Sequence, residues 1–459
     1  MMGKTRIVSS SAGRLWPRAF LHAAGGALLL LSAAPAHAQL SFFSAINLAL
    51  QNSPKIKSAE DGVRKAQAAL AVLEDAYIPS VNAGGGAGAT YGITLSVPTI
   101  FTLSAHSLVY SPQQRDYIRA ARSGVEAAQL SLADARNGVE EDTVITYLRL
   151  EDLQLEMGAL DEERGLAEKL VDIVQEREQA GLANDLDLIK ARRTAVQLKL
   201  QELQAKEEQD FLAQHLSDLT GVSDGEGMTV PASIPAIPML DETAPNNGLP
   251  FPDSLSLQST ALSAKAQEEK AHGDSRYRWL PQITFDAQYG RVSPINDVSD
   301  YYNLHGRYNV VSAGVQFQFP LLDQVRKAAA REAQATADGN AEDADQLRMD
   351  QKGDQIKLEH SLDELATQAE LAELDEQIAK SELDAAILQQ KSAAGGGPPL
   401  TPIDEVNARL QERQQYYNVL EAKFALEKDQ IYLLRQTGNL GPWIERAEKS
   451  ALGTGLPPK

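Results

Sequence analysis

Asp187 and Asp404 stand at matching points in the runs NDLDLIKAR and TPIDEVNAR. Each follows a helix-capping residue type by three positions: Asn184 precedes Asp187, and Thr401 precedes Asp404 with Pro402 between them. A carboxylate at the third helical position meets the free N–H groups and the positive dipole end of the first turn, so this spacing marks a helix start. Few other residues are grouped for chemistry. The seven histidines are scattered, with no pair at a metal-ligand spacing. No GxxxxGK[ST] phosphate loop is present, and GAGATYG misses the GxGxxG spacing and falls in a strand pattern. Glu140, Glu141 and Asp142 cluster in a helical stretch and read as a solvated face. These features point to no enzyme, no cofactor and no bound metal.

The elements that position the two aspartates follow from the rest of the chain. Its 459 residues carry 63 acidic and 43 basic side chains. Nucleic acid needs a basic face, so it is not an expected partner. Residues 1–38 contain Lys4, Arg6, Arg14 and Arg18, then a short apolar core, then APAHA. This is the pattern of a secretory signal cleaved after Ala38. The chain is expected to leave the cytosol, yet it has no cysteine, so disulfides cannot stabilise it. No later segment is apolar for long enough to form a transmembrane helix.

The remainder reads as one plan written twice. Pro79 in YIPS and Pro281 in WLPQ are 202 residues apart, and Asp187 and Asp404 are 217 apart. A slowly growing offset means a repeat with loop insertions. The first repeat spans 39–221 and the second 252–440; 222–251 is a Gly/Pro linker expected across the waist, and 441–459 is a tail. Each repeat reads helix, strand, strand, very long helix, turn, helix. The first helices are Phe42–Tyr77 and Pro252–Arg278, and the long ones Pro112–Gln179 and Leu321–Lys391. At 1.5 Å per residue each long helix is on the order of 100 Å. Leu153, Met157, Leu160, Ala167, Val171 and Val174 form a seam on the first, interrupted by Arg164, and Ile189, Val196, Leu200 and Leu203 form one on the returning helix. Such seams predict antiparallel coiled coil. Near the strands the seams are small: Ala120, Ala121, Ala127 and Ala128, then Ala328, Ala329, Ala330 and Ala333. Two shorter helices fit end to end beside each long one, which predicts a rod rather than a globular core.

Hairpins are expected at 81–110 and 282–319. In the first, Val81 to Ile93 alternates, and Phe101 to Tyr110 alternates and then slips at Ser107-Leu108, as at a bulge. In the second, Ile283, Phe285, Val311, Val315, Phe317 and Phe319 alternate with Thr284, Asp286, Gln288, Ser312, Gln316 and Gln318. The strands have the length of tilted membrane-crossing strands. Half of the chain's 26 aromatic residues fall within Tyr77–Tyr110 and Tyr277–Phe319, as interfacial girdles would. The first set should therefore face lipid and the second a watery lumen. Pro320 should end the last strand and open the long helix. Four strands cannot close a barrel, and lipid does not tolerate an open sheet edge, so the barrel must be shared. Twelve strands from three chains is the simplest count.

At this point the chain resembles the TolC-like outer membrane efflux proteins (outer membrane factors). The likeness lies in LSFFSAINLALQNSPKIKSAEDGVRKAQAAL, YIPSVNAG, WLPQITFDAQYG, VQFQFPLLDQVRKAAARE and REQAGLANDLDLIKARRTAVQLK, and in their order. It implies an α+β membrane protein: a long antiparallel α-helical coiled-coil barrel with a small transmembrane β-barrel, four strands per chain, completed by a homotrimer. It implies a channel of a tripartite efflux or type I secretion system, in the cell outer membrane with a periplasmic helical tunnel. Its partners would be outer-membrane lipid, a periplasmic adaptor (membrane fusion) protein and an inner-membrane transporter. By the same resemblance Asp187 and Asp404 match aspartates lining the periplasmic constriction, and Asn407 stands where a second such aspartate often sits. Rings of carboxylates favour cations by charge. The glycine that often follows the strand-exit proline is absent from YSPQQR and FPLLDQ. The rival expectation is a soluble periplasmic coiled-coil scaffold or adaptor protein.

Overall fold

Prolines mark where helices begin in this structure, a computed structural model describing residues 39–86, 99–222, 228–238, 252–275, 280–292, 309–319, 323–392 and 401–453. Outside these residues lie the expected leader 1–38, the strand extension at Ala87–Ile93, Pro320 and Leu321, part of the linker and the end of the tail. Helix α1 (Phe42–Asn52) stops where α2 (Pro54–Glu74) starts. The single helix expected over Phe42–Tyr77 is therefore broken: Pro54 opens α2, and Ser53 before it leaves the helical region at φ −54°, ψ 126°. Pro112 opens α3 (Pro112–Gln179), and the Ser111 hydroxyl accepts from the Gln114 N–H at 3.2 Å. Its 68 residues make a rod of about 100 Å. After Gly181, which takes φ 72°, the chain returns as α4 (Asp185–Thr220).

The second repeat follows the same order. It consists of α5 (Leu255–Ser275), two strands, α6 (Gln324–Ser392) and α7 (Pro402–Gln436). The residues after α7 continue as a further helix, α8 (Leu440–Gly453). The strands are β2 (Ser80–Gly85), β3 (Thr99–Tyr110), β5 (Gln282–Val292) and β6 (Asn309–Gln318). They pair antiparallel in the order β2-β3-β5-β6, so β2 and β6 are the two edges. At the waist a short parallel ribbon joins β1 (Gln39–Leu40) to β4 (Met228–Thr229).

End-to-end stacking beside the long helices is as the lengths predict. Along α3, α2 offers Glu74 to Arg122 and Glu60 to Arg136, and farther on α4 offers Glu208 to Arg149 and Glu202 to Arg164. Beside α6, Ser361 bonds Asp429 of α7 and Glu373 pairs with Lys423. Helix α5 sits against the strand-proximal part of α3. There a Cβ on Gly273 would lie 3.0 Å from Asp116 Cβ and 3.2 Å from the Tyr117 ring, tighter than an ordinary contact, so glycine allows the close approach without displacing α3.

The α3 seam is buried at Leu153, Leu160, Ala167 and Val174, with Met157 and Val171 packed against it. Arg164 leaves the seam and pairs with Asp161 and Glu202. On α4 the structure corrects the expected stripe. Leu188, Ala191, Leu198 and Ala205 face inward, while Ile189, Val196, Leu200 and Leu203 are each more than half exposed. A helix advances about 100° per residue, so the two stripes occupy different faces, and α3 covers only one. The alanine seam is buried at Ala120 and Ala127, whereas in the second repeat Ala337 and Ala344 are buried and Ala328 and Ala329 are exposed.

A compact core, which the rod expectation omitted, sits at the waist. Phe42 packs edge-on against Tyr147 and Trp443, with Leu150, Ile431, Leu434 and Leu440 around them. The Tyr147 hydroxyl donates to the Leu40 carbonyl at 2.8 Å and accepts from the Val230 N–H at 2.7 Å. The Trp443 indole donates to the Ala236 carbonyl. One phenol thus ties the N-terminal ribbon, the linker and the long helix together, and α8 closes the cluster.

Beyond the waist α3 buries charge. Arg149 meets Glu156 at 2.7 Å, Asp152 at 3.0 Å and Glu208 at 2.8 Å, and its guanidinium lies over the Phe424 ring. Glu163 is buried with one carboxylate oxygen unpartnered. Burial raises its pKa to about 7, with Arg413 opposing. A raised carboxyl favours the fold below its unfolded pKa and loses that contribution as pH rises through about 7. Urea unfolding followed by circular dichroism should therefore show wild-type stability falling between pH ~4.5 and ~7.5, and Glu163→Gln should remove about one proton per chain from that slope.

Candidate functional site

Local backbone needs fix the two tips. At the α3–α4 turn the N–H groups of Leu182 and Ala183 both return to the Arg177 carbonyl, at 2.7 and 3.2 Å. Gly181 supplies the left-handed residue this closure requires. The Asn184 side chain then accepts from the Asp187 N–H at 2.9 Å. At the other tip Thr401 and Asp404 form a complete capping box. The Thr401 N–H donates to Asp404 Oδ2 at 3.0 Å, and the Asp404 N–H donates to the Thr401 hydroxyl at 3.4 Å. The Thr401 hydroxyl also donates to Asp404 Oδ2 at 2.6 Å, and this bond first, then the one from the Thr401 N–H, with Arg177 nearby, holds the Asp404 carboxyl below the usual range. The cap reading thus holds in full at Asp404 and on the backbone side at Asp187.

Packing brings the two tips to the same end of the rod. Leu170, Val174, Leu188 and Ala191 of the first repeat cluster with Ile403, Val406 and Leu410 of the second. Asp187 and Asp404 each adjoin a member of this cluster. Asn407 lies one turn beyond Asp404 and is exposed. Leu182 and Leu186 are exposed at the same tip.

At the opposite end the strand register sorts the side chains into two rows. Ile283 pairs with Phe317, Phe285 with Val315 and Tyr289 with Val311. Between them Thr284 pairs with Gln316, Asp286 with Gly314 and Gln288 with Ser312; Gln282 pairs with Gln318. Strand neighbours share a face, so the two predicted sets stand on opposite faces. Phe319, just past β6, is exposed. The apolar row is open: Val311 is 75% and Phe317 64% exposed. Phe101 adds an edge-on contact with Tyr289. The predicted slip near Ser107-Leu108 occurs between Leu108 and Tyr110, where the register shifts.

Two features escaped sequence reading. The register sets His106 of β3 against Asp286 of β5, with Nδ1 and Oδ1 2.6 Å apart. Alternation put each residue on a strand, but their pairing across 180 positions leaves no local signal. The second is the acidic cluster, which is not a solvated face. Glu141 is buried and accepts from Arg435 of α7 at 2.6 Å, while Asp142 pairs with His215 of α4 at 3.0 Å and lies 3.9 Å from Lys55 of α2. Burial raises the pKa values of Glu140 and Glu141. The cause is position: mid-rod, α3 is flanked by α1, α4, α7 and α8 at once.

Among the described residues no three His, Cys, Asp or Glu side chains are grouped to hold a metal. Among those residues too, no helix is long and apolar enough to cross a membrane.

Comparison with known proteins follows the same lines. The family described as "Outer membrane efflux protein" matches residues 45–222. No curated protein matches the chain. Among solved structures, the Campylobacter jejuni CmeC outer membrane channel is similar with a TM-score of 0.67 at 16% identity, over 89% of each chain. The Vibrio cholerae outer membrane protein VceC gives 0.67 at 16% identity, over 86% of this chain and 96% of that one. The open-state Neisseria gonorrhoeae MtrE outer membrane channel gives 0.62 at 14%, over 88% and 91%. This chain thus resembles the outer membrane efflux proteins in sequence across 45–222, and it has the fold of the outer-membrane channels over most of its length.

Proposed function

We propose that the chain is one subunit of a trimeric channel-tunnel in the outer membrane. It conducts cargo passively to the exterior, after a periplasmic adaptor and an inner-membrane transporter have delivered it in an efflux or type I secretion system. One observation carries this reading: among the described residues, a four-stranded sheet with two unpaired edges and an outward apolar row stands at the end of a rod, and no described element covers that row. In water such a sheet would aggregate; in a bilayer, edges closed by two further copies and an apolar row against lipid satisfy it. The soluble scaffold or adaptor leaves both features without a role.

The rod supports the same assembly. The α4 stripe of Ile189, Val196, Leu200 and Leu203 is exposed, and so is an α6 stripe that includes Ile356, Leu371 and Ile378. Apolar helix faces of this kind fit neighbouring subunits in a closed helical tunnel. Asp187, Asp404 and Asn407 then ring the periplasmic mouth, and Leu182 and Leu186 offer apolar surface to the adaptor. Thr284, Asp286, Gln288, Ser312, Gln316 and Gln318 line the barrel lumen.

Two experiments test this. Replacing both Asp187→Ala and Asp404→Ala should lower cation-over-anion permeability several-fold in planar bilayers; unchanged selectivity would leave the carboxylates only as caps. Val315→Arg should deplete the assembled trimer from the outer-membrane fraction, since a lipid-facing arginine near the midplane costs about 2–4 kcal/mol per chain. Gln316→Arg, one residue on and facing the lumen, should assemble. Equal assembly of the two variants would reverse the facing.

A further inference from the structure

Among the described residues the polar row of the sheet holds one imidazole and one carboxylate, and they touch. Besides the 2.6 Å approach of His106 Nδ1 to Asp286 Oδ1, the Thr284 hydroxyl donates to Asp286 Oδ2 at 3.2 Å. The Ser80 hydroxyl of the edge strand β2 donates to the His106 carbonyl at 3.2 Å. The pair is built into the sheet yet open to solvent, with side chains 57% and 38% exposed.

No other charged side chain among the described residues shares their row. Among the described residues β2 and β6 carry no ionisable side chain, and the neighbours of the pair on this row are Ser80, Ser104, Leu108, Thr284, Gln288 and Gly314. On β5, Tyr289 belongs to the apolar row and Arg291 shares its alternation. The turn before β2 brings Asp75 and Tyr77 toward β3, where Tyr77 engages Arg115 near Tyr110.

We infer that the His106–Asp286 pair is a charge filter of the barrel lumen, one per subunit, whose charge pH sets. The inference rests on the polar row facing the lumen. With the imidazole protonated the pair sums to zero. With it neutral the pair carries one negative charge, so a trimer gains three at one level of the pore. Imidazole is the side chain that changes charge between about pH 5 and 8. Fixed charge on a narrow water-filled wall sets which ions enter. The channel is therefore most cation-preferring above the imidazole transition and passes anionic solutes more readily below it. Asp404, held low by its cap, adds no movement in this range.

The test uses the purified full-length protein in planar bilayers under a potassium chloride gradient, at about pH 5 and about pH 8. In the wild type the reversal potential should move toward the potassium limit as pH rises. His106→Gln should abolish that movement and keep the high-pH selectivity throughout. Asp286→Asn should lower cation preference at both pH values. A His106→Gln channel that keeps the wild-type movement, or an Asp286→Asn channel with unchanged selectivity, overturns the filter. Facing is read separately. The natural chain has no cysteine, so Gln288→Cys provides a single thiol for a charged, water-soluble methanethiosulfonate reagent. If the reagent leaves the current unchanged, the lumen-facing reading fails and the filter with it. If it alters the current while His106→Gln keeps the movement, the filter alone fails.

Discussion

A β-sheet in lipid must close. Each backbone N–H and carbonyl facing hydrocarbon without a partner costs several kcal/mol, so an open edge is excluded from the membrane core. Among the described residues β2 and β6 are open edges, and no described element covers the apolar row of Val311, Val315 and Phe317. The edges ask for strands and the row asks for lipid. In the proposed assembly three copies supply the first and the outer membrane the second. The rest of the proposed structure then follows, because three rods hang from one barrel and must pack along their length.

The rod is prepared for that. Helix α3 is its spine: every other long element of the first repeat lies along it, and α5, α7 and the following helix α8 reach it too. Its inner faces bury leucines and alanines next to the waist core, and also carboxylates at Glu141, Glu156 and Glu163. Arg435 and Arg149 meet the first two, while Glu156 and Glu163 each keep one unpartnered oxygen. Buried ion pairs of this kind fix which helix lies against which more than they add stability. In the proposed trimer the exposed stripes on α4 and α6 are the counterpart for neighbouring subunits.

Much of this was legible in the sequence. The ends of α3, Pro112 and Gln179, were readable because Ser111-Pro112 and the turn glycine Gly181 each act locally. The two strand rows were readable because alternation has a period of two and one slip would have reversed them. The capping box at Asp404 was readable from four residues. What failed was set by partners distant in sequence. Which α4 stripe faces inward depends on where α3 lies, so spacing alone points to Leu200 and Leu203, which lie on the exposed side. The Glu140–Asp142 cluster looked solvated because the helices carrying Arg435 and His215 come from 294 and 73 residues away. Pairing of His106 with Asp286 needed a register between hairpins of different repeats. Pro54 was present in the first helix as a plain break signal, and the apolar periodicity on both sides hid it.

The central claim is that the edges of β2 and β6 meet between chains. Asn82 of β2 and Ser312, Gly314 and Gln316 of β6 share the polar face. Cysteine at Asn82 combined with cysteine at one of the three, in an otherwise cysteine-free chain, places thiols within disulfide reach at the correct register. Outer-membrane fractions run without reductant should show covalent dimers and trimers for at least one combination. Monomers at every register, with the chain recovered in the soluble periplasmic fraction, would contradict the account.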